Sequence, residues 1–174
     1  MIPSIIIISF ILENIVSNII PVNTTLFNVC FVPISLIIIY PYFNKFNNKY
    51  LVTCFITGLC YDLIFTSTLF FYAIIFLVIG VVIKYICNRL SINTISISIL
   101  SIIVILLYRV FVYFVLVVIN YFKYDFNYLL KSIYSSIILN VIYAIIIYLI
   151  TDYISKKLKI QKKIWFIHIF FNTT

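Results

Sequence analysis

Charge is what this sequence has least of. Asp, Glu, Lys and Arg make up only 9% of its 174 residues, against about 25% in an average soluble domain. Water is therefore not the main solvent of this chain, and no stretch is polar enough to form a separate soluble domain. Glycine is nearly absent: Gly58 and Gly80 are the only two, which excludes a glycine-rich loop that cradles phosphate. His168 is the sole histidine, so neither a Ser/His/Asp set nor a closely spaced zinc site can be drawn. No paired carboxylates lie in an exposed loop, so no catalytic, cofactor or metal site is expected. The four cysteines, Cys30, Cys54, Cys60 and Cys87, form no Cys-x-x-Cys pair. In apolar surroundings they are expected to be small buried hydrophobes. The start, Met1-Ile2-Pro3-Ser4, lacks a basic n-region and a small-residue cleavage site, so the first apolar run is expected to be retained.

What is present is apolar: 66% of the residues are hydrophobic. Crossing ~30 Å of hydrocarbon takes ~20 such residues, so the length suits about six spans. The expectation is an all-α integral membrane protein, a bundle of about six transmembrane helices at about 2–20, 26–43, 50–65, 69–87, 94–119 and 128–150. Turns are expected at 21–25, 44–49, 66–68, 88–93 and 120–127. Pro33 falls inside the second helix and is expected to kink it. The organisation is then a transmembrane domain over 1–153 and a basic, aromatic tail over 154–174.

Basic residues favour the cytoplasmic side. Lys45 and Lys49, Lys84 and Arg89, and the tail residues Lys156, Lys157, Lys159, Lys162 and Lys163 fall on one side; Lys123 and Lys131 fall on the other. Both termini are thus expected to be cytoplasmic. The net charge of +8 is explained this way and does not suggest nucleic acid. The tail lysines could also hold anionic headgroups, with Trp165 and Phe166 at the interface.

Three ionisable residues fall inside the expected spans: Glu13, Asp62 and Arg109. A charge at the bilayer centre costs at least ~2.5–3.5 kcal/mol on insertion scales. At ~1.5 Å per residue they lie ~15 Å, ~18 Å and ~21 Å along their helices, at similar depth. One expectation is a buried ionic cluster joining the first, third and fifth helices. The other is a separate local partner for each charge. Small and polar residues mark the helix faces around them. Ser9, Glu13 and Ser17 share one face, as do Cys54, Gly58 and Asp62. Ser132, Ser136, Asn140 and Ala144 line the last helix.

The third helix carries a more specific pattern. Gly58-Leu59-Cys60-Tyr61-Asp62 is followed by a short turn, then Tyr72-Ala73 and later Gly80. This resembles the MreD family of rod shape-determining membrane proteins, which carry a Gly-Leu-x-x-Asp segment, a turn, a Tyr-Ala-like helix start and a later Gly. A carboxylate in the first helix, Glu13, and Leu139-Asn140 in the last are compatible. The chain departs at Phe70, where the family often has a Gly. The resemblance implies a six-helix arrangement like that of energy-coupling-factor transporter substrate-binding subunits. It also implies a non-enzymatic role in the bacterial rod complex, in the cytoplasmic membrane, supporting lateral peptidoglycan synthesis. The implied partners are MreC, MreB, RodA and a class B penicillin-binding protein. The candidate residues are Glu13, Gly58, Asp62, Arg109 and Asn140, in structural or interaction roles. The alternative is a substrate-binding subunit of an energy-coupling-factor vitamin transporter, with Asp62 or Glu13 contacting the substrate.

Overall fold

The computed structural model describes residues 1–19, 29–43, 48–66, 70–90, 93–118 and 125–158. Every element among them is helical: α1 Ile2–Ile19, α2 Phe31–Ile39, α3 Lys49–Tyr61, α4 Phe71–Cys87, α5 Thr94–Val118 and α6 Phe126–Lys157. A 3-10 turn, Tyr40–Tyr42, extends α2, and a π turn, Asp62–Thr66, extends α3. The expected turns at 21–25 and 67–68, much of the other connections, and the tail from 159 onward lie outside the described residues.

Among the described residues six helices form, and four of them are long and apolar enough to cross a membrane: Ile2–Ile19, Lys49–Thr66, Thr94–Val118 and Phe126–Lys157. The expected all-helical architecture with six helices is present among the described residues. With its 3-10 turn α2 reaches only ~18 Å, well short of the hydrocarbon thickness, and α4 reaches ~26 Å.

The reason α2 is short also explains its place. All nine of its residues are buried, and it packs against α1, α4, α5 and α6. A helix that is apolar all round belongs at the centre of a bundle. Val29 and Cys30 are not helical, so α2 begins later than the apolar run does. Pro33 consequently falls in the first turn of α2. There it removes no intrahelical hydrogen bond and has no preceding turn to clash with. The kink expected from Pro33 is therefore not part of this fold.

At its other end α2 is anchored by tyrosines. The Tyr50 hydroxyl donates to Leu36 O at 3.1 Å, and the Tyr40 hydroxyl donates to Asn88 Oδ1 at 2.6 Å. Both glycines close one contact, that between α3 and α4. A Cβ on Gly58 would stand 2.5 Å from Ala73 Cα, and one on Gly80 would stand 2.7 Å from Cys54 Sγ. Small residues are what let membrane helices approach this closely. Cys30 and Cys54 are buried as expected, whereas Cys60 is exposed on the helix surface.

The last helix outruns its expected end. Nothing between 151 and 157 breaks it, and Lys156 and Asp152 pair across one turn at 2.7 Å, a spacing that supports a helix. Thr151 and Ser155 are buried, so this part of the expected tail packs as helix.

Candidate functional site: a buried polar core around two helix starts

A helix start presents backbone N–H groups with no intrahelical acceptor. Left unpaired inside a membrane, each costs several kcal/mol. Because α2 begins in the middle of the bundle, neighbouring helices must supply those acceptors. On α1 the inward residues are Ile5, Ser9 and Glu13, spaced so that one narrow stripe faces α2. Glu13 is 2% exposed. Its Oε2 accepts from Val32 N at 2.8 Å, and its Oε1 accepts from the Tyr61 hydroxyl at 2.7 Å. From α6, Asn140 Oδ1 accepts from Cys30 N at 2.8 Å, while its Nδ2 donates to Ser136 O at 2.6 Å. A carboxylate here also meets the positive end of the α2 dipole.

Asp62 does the same for α4. Its Oδ1 accepts from Tyr72 N at 3.0 Å, and its Oδ2 accepts from Ala73 N at 3.2 Å. These are the second and third residues of α4, the usual clients of a capping side chain. The chain reaches this geometry by turning sharply at Phe70, whose φ of 66° lies in the left-handed region. That is the position where the resemblance calls for glycine. Two further acids complete the set. Asp125 caps α6, accepting from Asn127 N at 2.9 Å and Tyr128 N at 3.3 Å, and Asp152 pairs with Lys156.

Arg109 approaches the start of α2 from the opposite side. Its Nε donates to Ser136 Oγ at 3.0 Å, and one terminal nitrogen donates to Cys30 Sγ at 3.2 Å. Its guanidinium carbon lies 5.6 Å from the centre of the Tyr108 ring, a cation–π distance. Among the described residues no carboxylate oxygen lies within 4 Å of it; the ion pair there is Asp152–Lys156. The three charges thus divide. Glu13 and Arg109 meet at the start of α2 without touching, and Asp62 turns to α4.

Of the sequence candidates, the structure brings Glu13, Arg109 and Asn140 together around Cys30 and Val32. Gly58 and Asp62 sit at the α3–α4 contact. Tyr61 bridges the two groups, and sequence reasoning missed it. Its ring packs against Phe65, Tyr72 and Phe76, and its hydroxyl accepts from the Tyr108 hydroxyl at 3.4 Å. The signal was available: Tyr61 lies three residues from Gly58, on the same helix face. The role of Cys30 had no signal, because the apolar run hides where α2 begins. Ser9 and Tyr143 share a hydrogen bond at 2.7 Å, and Phe31 stacks on Tyr143 with ring centres 3.9 Å apart.

The arrangement is suited to fixing helices against one another in a medium without water. It pairs no nucleophile with a base among the described residues.

A family model described as rod shape-determining protein MreD matches residues 1–157. No curated protein and no solved structure matches the chain. The match runs from α1 to the last turn of α6, and therefore takes in both helix starts and every candidate residue. With helices apolar enough to span a membrane, the chain belongs to the MreD family, membrane proteins that act in determining rod shape and are not a known family of enzymes.

Proposed function

We propose that this protein is a non-enzymatic scaffold or regulatory subunit of the bacterial rod complex, multi-pass in the cytoplasmic membrane with both termini on the cytoplasmic side. The observation that carries this reading is that the buried carboxylates are already occupied. A transporter subunit would aim Glu13 or Asp62 at its substrate. Here Glu13 accepts from Val32 and Tyr61, and Asp62 accepts from Tyr72 and Ala73. Such a core fixes the outer surface of the bundle, and a docking subunit works through its surface.

The implied partners are MreC, MreB, RodA and a class B penicillin-binding protein, acting in lateral peptidoglycan synthesis. Residues 1–153 form the docking domain. The basic stretch 154–174 faces the cytoplasm and anionic lipids. The test is a mild-detergent pull-down of the tagged protein from its native membrane, read by mass spectrometry. Recovery of MreC with RodA and a penicillin-binding protein is expected. Recovery of ATPase subunits and a transmembrane coupling subunit without MreC makes it a transporter component instead.

A further inference from the structure

Arg109 is a cation on a helix apolar enough to span a membrane, and among the described residues its ligation is incomplete. Two of its three guanidinium nitrogens bind Ser136 and Cys30. The third makes no hydrogen bond among the described residues, and no carboxylate lies within 4 Å. The opposite charge that acts on it, Glu13, is held by Val32 N and the Tyr61 hydroxyl and does not touch it, although a buried charge normally pairs directly. Beside it, between α5 and α6, runs a groove of about 110 Å³ lined by Arg109, Val112, Leu116, Tyr128, Leu129 and Ser132.

We propose that this groove receives an Asp or Glu side chain from a membrane helix of a partner protein, paired with Arg109. The proposal rests on the scaffold reading above. Three observations select this occupant. The first is charge: one guanidinium nitrogen makes no hydrogen bond among the described residues, and no carboxylate there is in contact with it. The second is size: about 110 Å³ suits one side chain and is well below the ~300–1,000 Å³ of small-molecule sites. The third is depth. Arg109 lies nine residues before Val118, the end of α5, which is ~14 Å along the helix. A lipid phosphate lies outside the ~30 Å hydrocarbon layer and would have to sink far to reach it. A carboxylate halfway along a partner's span is at that depth already. The apolar walls Val112, Leu116 and Leu129 would pack against the same helix.

The test is the pull-down repeated with variants, each checked for monodisperse elution and thermal unfolding in detergent. Arg109→Gln removes the charge. Leu129→Trp fills the groove and leaves the polar core untouched. Ile138→Trp, on a part of α6 that is 68% exposed, is the control. Expected is a loss of about tenfold or more in recovery of the rod-complex membrane partner with both groove variants, and no loss with the control. Arg109→Glu should be rescued by an Asp/Glu→Lys change within that partner's span. If Arg109→Gln fails to fold, Leu129→Trp decides. Wild-type recovery unchanged in Leu129→Trp overturns the proposal. So does a phospholipid seen by native mass spectrometry on wild type and lost in Arg109→Gln with partner recovery intact. If wild type itself recovers no rod-complex component, the scaffold reading fails and the proposal falls with it.

Discussion

Glu13 satisfies two buried donors at once, the Val32 amide and the Tyr61 hydroxyl. Leucine there would leave both without an acceptor, at about 1–3 kcal/mol each. Glutamine keeps one oxygen and should cost clearly less. Thermal unfolding in detergent should therefore rank wild type above Glu13→Gln, and Glu13→Gln well above Glu13→Leu. Equal midpoints for the two variants would mean that the carboxylate does not hold the start of α2. Phe70 makes the opposite prediction. A non-glycine residue in the left-handed region stores about 1–3 kcal/mol, and Phe70 is 53% exposed, so little packing is lost with its ring. After glycine's entropic cost, Phe70→Gly should stabilise the protein by about 1 kcal/mol, seen as a raised unfolding midpoint. At this scale the sequence showed which residues were unusual. It did not show their partners, because Glu13 and Arg109 find theirs on other helices brought near by packing, and Asp62 finds its own in backbone amides exposed only by where α4 starts.

Among the elements, α3 and α4 are the most tightly joined. The two glycines there differ in what they face: backbone at Gly58, a cysteine side chain at Gly80. A side chain can turn aside, and a helix backbone cannot. Gly58→Ala should therefore cost about 1–3 kcal/mol or more from overpacking, and Gly80→Ala should cost less. Unfolding midpoints of the two variants check this, and a larger loss at Gly80 would contradict the packing described. The faces that hold these contacts were legible in the sequence. Cys54, Gly58 and Asp62 do share one face, and all three meet α4. Ser136, Asn140 and Ala144 on α6 are buried likewise. The start of α2 was not legible, since a run of apolar residues looks alike whether it is helical or extended.

For the whole molecule, the basic tail gives a prediction that leaves the core untouched. Replacing Lys156, Lys157, Lys159, Lys162 and Lys163 by Gln should weaken the attraction of the C-terminal segment to anionic vesicles by about 1 kcal/mol per lysine. The check is binding of this segment as a peptide to phosphatidylglycerol vesicles at low and high salt. An unchanged partition would leave those lysines as orientation signals only. By itself the sequence determined the apolar character of this protein and the six helices found among the described residues, because apolar content and its interruptions are properties of the chain alone. It also marked its family through Gly58, Asp62, Tyr72, Ala73 and Gly80. Only the tertiary structure decided that α2 is a short central helix, that Glu13 and Asp62 serve the starts of α2 and α4, and that Arg109 meets no carboxylate among the described residues. The reason is physical: a buried donor or charge must be satisfied by whatever acceptor the packing brings near, and packing is set by all the helices together.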